Sequence, residues 1–356
     1  MLGYAVISLY VIVGMLCYLE RYAGKYKLPI YLSAGLIMII LAATKEVGID
    51  PDSEMYEDMF NNFYSSHTAD VVEYSFIMLS EFIHMFSDDV HMLFLFYAIL
   101  GVGLKLIAFR QLCESWFLPL LVYISYYYIF HELMQIRTGV MSGMFLLSIK
   151  PMCEGKRLKA FIFLAIGTFF HYSALVLFPL LFLSNKPLSG KGRLAWALVV
   201  PIGYFFFFYG FSALLDISTG LPYIGEKLAL YQKGTETGVL KIAVNVFNPL
   251  YLLTTVLYLY LLYFHDNVIE HNQYFPLLIK IFGLGVLSYT MLSSFPVLAQ
   301  RINLLLVLVI TVLYPNLKNT VRPLWVGTTV VLLVTFAYLN IGLPSIDFSL
   351  LWVKTD

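Results

Sequence analysis

Charge is scarce in this sequence. Only 12% of its 356 residues are Asp, Glu, Lys or Arg, against 60% apolar residues and a mean hydropathy of +0.81. That leaves too little polar surface to coat a water-soluble globule, so lipid must be the main solvent. An excess of either sign is lacking too: 22 basic residues balance 22 acidic ones, which favours neither a nucleic acid nor an acidic partner. Cysteines are few, and Cys17, Cys113 and Cys153 stand far apart at no metal-ligand spacing, which argues against a disulfide framework. Before Glu20 there is neither a basic leader nor a small-residue cleavage site, so residues 1–19 are expected to be a retained first span. Walker, G-x-S-x-G and H-E-x-x-H motifs are all missing. Nucleotide, serine and zinc hydrolysis therefore lack support, no cofactor or metal is called for, and energy must arrive with the substrate.

What the sequence has in abundance is continuous apolar runs, 16 to 21 residues long, with no dyad alternation. Hydrocarbon offers no partner to a bare amide, so such runs must be helices and not barrel strands. Spans are expected at 1–19, 28–44, 90–109, 116–131, 137–152, 194–210, 248–264, 275–295, 301–316 and 323–341. The stretch 160–183 has basic loops on both sides and is expected to be a short hairpin that enters and leaves on one side, with His171 and Tyr172 at its apex. The fold class expected is an all-α polytopic membrane protein with about 11 to 12 membrane-crossing helices, forming a single transmembrane domain over residues 1–356.

Lys and Arg gather in alternate loops, at Arg21 to Lys27, Lys105 to Arg110, Lys150 to Lys159, Lys186 to Arg193 and Lys318 to Arg322. The positive-inside rule makes these cytoplasmic and puts both termini outside. Two outer loops are then long, 45–89 and 211–247. The first carries GIDPDSEMYEDMF and then a helix on which Phe76, Leu79, Ile83 and Phe86 recur at three- and four-residue steps, as on an interfacial helix. The second holds Tyr223 and Tyr231 among polar residues.

Ionisable groups at membrane depth are costly, and each is a candidate for function. Arg137 and Arg301 are each expected to open a span at its outer end, where unpaired amides and the positive end of the helix dipole already favour an anion. Gln135 and Gln300 precede them. Two guanidinium groups so placed would clamp phosphate oxygens, whereas the plainer reading has each Arg snorkel to the interface or pair with a carboxylate such as Glu132. His171 is either a hydrogen-bonded structural residue or a general base facing the same outer cavity. Asp50 and Asp52 form a D-x-D that would suit a divalent metal, with solvated loop charge as the default. Glu73 is either a helix-terminal charge or a site carboxylate.

The ordered set GIDPDSEMYEDMF, EYSF, QIRTGV, FFHYSALVLFP and QRIN resembles the EpsG branch of the Wzy-type polysaccharide polymerases of bacterial envelopes, from Gly48 to about Tyr314. The resemblance implies a GT-C-like glycosyltransferase that joins undecaprenyl-pyrophosphate-linked oligosaccharide repeat units at the periplasmic face of the inner membrane. Its expected partners are the lipid-linked glycan and the bilayer, with a chain-length regulator and a flippase beside it and no nucleic acid. Carried over by position, Gly48, Asp50, Tyr56 and Phe60 match the first-loop pattern, Glu73 the next acidic position, Arg137 and Arg301 the two arginines, and His171 the hairpin histidine. Arg137, His171, Arg301 and Asp50 are thus the catalytic candidates, and Tyr56, Glu73, Gln135, Gln300, Glu132 and Tyr172 the substrate-binding ones. An O-antigen ligase using the same clamp, a lipid-linked oligosaccharide flippase and an O-acyltransferase are the rival readings.

Overall fold

A computed structural model of the chain describes residues 2–50, 52–65, 72–209 and 244–342. Among these residues the secondary structure is helical throughout, with no strand. Five helices are long and apolar enough to cross a membrane: Leu2–Tyr22, Gly24–Ala43, Val90–Leu112, Gly190–Tyr209 and Pro296–Thr320. Shorter apolar helices follow the same composition at Phe117–Tyr127, Tyr172–Phe182, Pro249–Tyr263, Phe275–Met291 and Leu324–Asn340. At 1.5 Å per residue, Val90–Leu112 reaches about 35 Å, more than the hydrocarbon thickness of about 30 Å. The chain is an all-α, multi-pass membrane protein. The expected outer segment 211–247, with Tyr223 and Tyr231, lies almost wholly outside the described residues.

The helices form two compact units. The first comprises Met1–Asn185, Asn267–Phe275 and Ile310–Asp356. At its centre the helix Val90–Leu112 packs against Lys27–Ala43 on one side and Ile136–Cys153 on another, and Ile136–Cys153 in turn packs on Arg157–Phe170. The apolar run ending at Met134 is wound as π-helix over Tyr123–Tyr127 and Ile129–Met134. The winding continues to Met134, and Glu132, expected just beyond the span, lies in the protein interior.

One basic cluster needs correction. Lys105, assigned above to a cytoplasmic loop, sits within the Val90–Leu112 helix and is fully buried. Burial is tolerated because its ammonium donates to Glu132 Oε1 at 2.5 Å and to the Gly139 carbonyl at 2.6 Å. Glu132 Oε1 also accepts from Tyr123 Oη at 2.6 Å. The carboxylate needs glycine on both sides: a Cβ on Gly101 would stand 2.1 Å from Glu132 Oε2, and one on Gly139 2.5 Å from it.

The first loop folds as two helices, Ser53–Asn61 and Tyr74–His84. Of the expected stripe, three residues pack into protein and Phe86, just beyond the helix end, is exposed. Phe76 and Ile83 are fully buried and Leu79 half-buried, in a core with Tyr56, Phe60, Leu93, Phe94 and Tyr97. The outward face is a second apolar stripe, Tyr74, Met78 and Phe82, with Met85 just beyond the helix end. The helix is thus apolar on both faces, one against the protein core and one outward.

The stretch 160–183 is the expected hairpin. Arg157–Phe170 is α-helix, His171 is extended (φ −156°, ψ 122°), and Tyr172–Phe182 returns as a 3-10 helix. Phe161 and Phe178 meet across the two arms with ring centroids 5.2 Å apart. At about 1.5 and 2.0 Å per residue the arms are about 21 and 22 Å long, so both stop short of a full crossing.

The second unit comprises Lys186–Asp266 and Pro276–Val309. Its described helices are pinned by side chains reaching backbone carbonyls: Tyr258 Oη to Trp196 at 2.7 Å, Tyr251 Oη to Val286 at 2.8 Å and Asn303 Nδ2 to Gly285 at 2.9 Å.

Candidate active site

Three first-unit residues that are far apart in sequence meet at one carboxylate. Glu73 is the extended N-cap residue of Tyr74–His84 and is buried. Its Oε2 accepts from Arg137 Nη1. Its Oε1 accepts from the Tyr172 amide at 3.1 Å and lies 3.4 Å from His171 Nδ1. His171 Nδ1 also accepts from the Ser173 amide at 3.2 Å, which caps the 3-10 arm of the hairpin. Aromatic packing seats the apex there, with Phe170 against Tyr97 (6.3 Å) and Phe169 against Tyr74 (6.4 Å).

Arg137 is the second residue of Ile136–Cys153, so the expected helix-start position holds for it. Its guanidinium carbon lies 5.6 Å from the Tyr56 ring and 6.0 Å from the Phe76 ring, within cation–π range. Only 11% of the side chain is exposed, and Nε is buried without a hydrogen-bond partner. The carboxylate that holds Arg137 is therefore Glu73 and not Glu132, which belongs to Lys105. Burial raises the Tyr56 hydroxyl to about 12, against the pull of nearby Arg137, and keeps it a neutral hydrogen-bonding group.

Asp50 is engaged elsewhere. Lys45 Nζ donates to its Oδ2 at 2.7 Å and the Asp52 amide to its Oδ1 at 3.1 Å, while Lys45 also donates to the Leu133 carbonyl. Burial holds the Lys45 ammonium below its ordinary value even though Asp50 pulls it up. Ser53 Oγ donates to the Asp50 carbonyl and accepts from the Gly48 amide, closing a corner in which Gly48 adopts φ +88°, a conformation that favours glycine. Asp50 and Asp52 join no group of three His, Cys, Asp or Glu side chains that could hold a metal, among the described residues.

The remaining candidates are less enclosed. Gln135 is the half-buried residue before the Ile136–Cys153 helix, and Tyr172 gives its amide to Glu73 while its ring is exposed. Arg301 and Gln300 are exposed on Pro296–Val307 in the second unit. That helix begins at Pro296, so Arg301 is its sixth residue and lies beyond the free amides of the first turn. The expectation that Arg301 opens its helix is thereby corrected.

Comparison with known families decides the relationship. The model of the EpsG family matches residues 28–350. This chain belongs to the EpsG family. No curated protein and no solved structure matches it. At the level of the family, this EpsG protein is a Wzy-like polysaccharide polymerase. Of the residues that carry the resemblance, Gly48, Asp50, Tyr56, Phe60, Glu73, Arg137 and His171 lie in the first unit and Arg301 in the second, with Phe60 wholly buried. Three polar residues of this EpsG chain went unremarked in its sequence. Tyr97 is buried between Phe76 and Phe170, Lys45 braces Asp50, and His131 is buried with Nδ1 3.1 Å from Ser142 Oγ. Lys45 and His131 sit at the edges of apolar runs, where charge passes for loop, so position gave no signal.

Proposed function

We propose that Glu73, Arg137 and His171 form the reaction centre of a polymerase that joins undecaprenyl-pyrophosphate-linked repeat units at the periplasmic face of the bacterial inner membrane. The observation that carries this reading is the single carboxylate shared by the arginine and the hairpin histidine. A hydroxyl of the incoming repeat attacks the anomeric carbon of the growing glycan. The bond from that carbon to pyrophosphate breaks, the new glycosidic bond forms, and the lipid pyrophosphate leaves as an anion. His171 takes the hydroxyl proton at Nδ1, the nitrogen that carries the lone pair when it accepts from Ser173, and Glu73 beside it stabilises the imidazolium so formed. Asp50 is the poorer base, since both of its carboxylate oxygens already accept bonds.

Of the five donors of Arg137 one goes to Glu73 and another engages Tyr56, so donors remain for a phosphate oxygen. Gln135, Tyr56 and Tyr172 of the same unit serve in this reading as sugar or phosphate contacts. Each preorganised donor is worth on the order of 3 kcal/mol in such a transition state. A deletion strain tests the reaction class: loss of a polymerase leaves single-repeat products, loss of a ligase leaves polymer on its carrier, and loss of a flippase leaves repeats on the cytoplasmic side. Only the first outcome agrees with the proposal.

A further inference from the structure

A second polar site lies at the other end of the first unit. The helices Lys27–Ala43 and Val90–Leu112 run between the loop that carries Glu73 and an end built from Leu19 to Lys27, Glu114 to Leu118 and Lys318 to Thr328. At that end is a cavity of about 1070 Å³, lined by Arg21, Lys27, Lys318 and Arg322 among its polar residues and by Leu118, Leu324 and Trp325 among its apolar ones.

Its charge is lopsided once internal pairs are removed. Glu20 is saturated, accepting from Lys27 Nζ at 2.8 Å, from the Trp116 amide at 2.7 Å and from Ser115 Oγ. Lys27 is thereby neutralised and also lies 4.2 Å from the Trp116 ring. Arg21, Lys318 and Arg322 have no carboxylate within ion-pair distance among the described residues, and Glu114 is the other acid on the wall. The rim is apolar and open, with Leu19 53%, Leu324 48% and Trp325 64% exposed. Three cations above exposed apolar side chains, at the ends of membrane-crossing helices, match a ligand with an anionic head and an acyl body.

We propose that this cavity binds the phosphate headgroup of an anionic phospholipid, with Lys318 and Arg322 as its principal cations and Trp325 at the level of the glycerol. The same loops carry the basic clusters that the positive-inside rule assigns to the cytoplasmic leaflet, where anionic lipid is drawn to cations. The site is independent of Glu73, Arg137 and His171, so either assignment can fail alone.

The test is native mass spectrometry of the purified full chain in detergent, with phosphatidylglycerol or phosphatidylcholine added. Wild type should retain phosphatidylglycerol preferentially. Lys318→Gln with Arg322→Gln should weaken that retention by on the order of 25-fold, about fivefold per charge. The charge-keeping pair Lys318→Arg with Arg322→Lys should retain it. Should the double variant fail to insert, Arg322→Gln alone, at an exposed position, should still give about a fivefold loss. Equal retention of the two lipids, or unchanged retention in the charge-removing variants, overturns the proposal. Displacement by inorganic phosphate at matched concentration would make this a free-anion site, and displacement by an acidic peptide a protein-docking site. Either result also overturns it.

Discussion

Replacing Glu73 by Gln keeps the side chain's shape and removes its charge. In the native protein the carboxylate is 5% exposed and faces an Arg137 side chain that is 11% exposed, so water screens the pair little. Removing one member of such a pair leaves the other buried and uncompensated, at a cost of roughly 3 to 5 kcal/mol when burial is complete. Gln retains an oxygen that can still accept from the Tyr172 amide, so the lower end, about 3 kcal/mol, is expected. Arg137→Gln strands the carboxylate instead and should cost a similar amount. The double variant, in which two neutral amides face each other, should be less destabilised than the sum of the singles by about 2 kcal/mol or more. The assay is unfolding of the purified protein in detergent, read as a double-mutant cycle. If the two single effects simply add, no coupling links the residues, and Glu73 is not the partner of Arg137.

Four further outcomes are expected. Gly101→Ala, whose new methyl would stand 2.1 Å from Glu132 Oε2, should lower the thermal midpoint strongly, while Gly103→Ala, with nothing within 4 Å of its Cβ position, should leave it unchanged or slightly raised. Lys105→Met should destabilise by roughly 3 to 5 kcal/mol because it strands Glu132, and Lys105→Met combined with Glu132→Gln should recover part of that loss in the same unfolding assay. The Tyr56 hydroxyl, raised from 10.0 to about 12, adds stability that is fully present below pH 10 and is lost as pH rises through about 12. Tyr56→Phe should therefore flatten the alkaline fall in stability across that window, measured as unfolding free energy against pH. Finally, His171→Ala should cut polymer formation by about 10² to 10⁴ with unchanged membrane insertion, as loss of a general base requires.

Much of the architecture is legible in the amino-acid order, because apolar length and basic loops are direct consequences of the bilayer. The hairpin around His171 follows from basic residues on both sides of a stretch too short for two full crossings. Single positions of the site are also legible, since charged groups in apolar surroundings stand out. Their pairing is not. Glu73 and Arg137 are separated by 64 residues, and no periodicity links them. Lys105 is a second such case: it reads as loop charge near Arg110, and its partner Glu132 stands 27 residues away in a separate helical segment. Arg301 was set at a helix start because the apolar run gathers strength after it, whereas Pro296 is well suited to the first helical position and begins the helix earlier.

The most direct measurement incubates the purified chain with a synthetic lipid-pyrophosphate-linked repeat and resolves the products by length. Wild type is expected to build a ladder, and folded Arg137→Ala to slow it by about 10² to 10³, the typical loss for one oxyanion donor. An undiminished ladder from that variant would contradict the account.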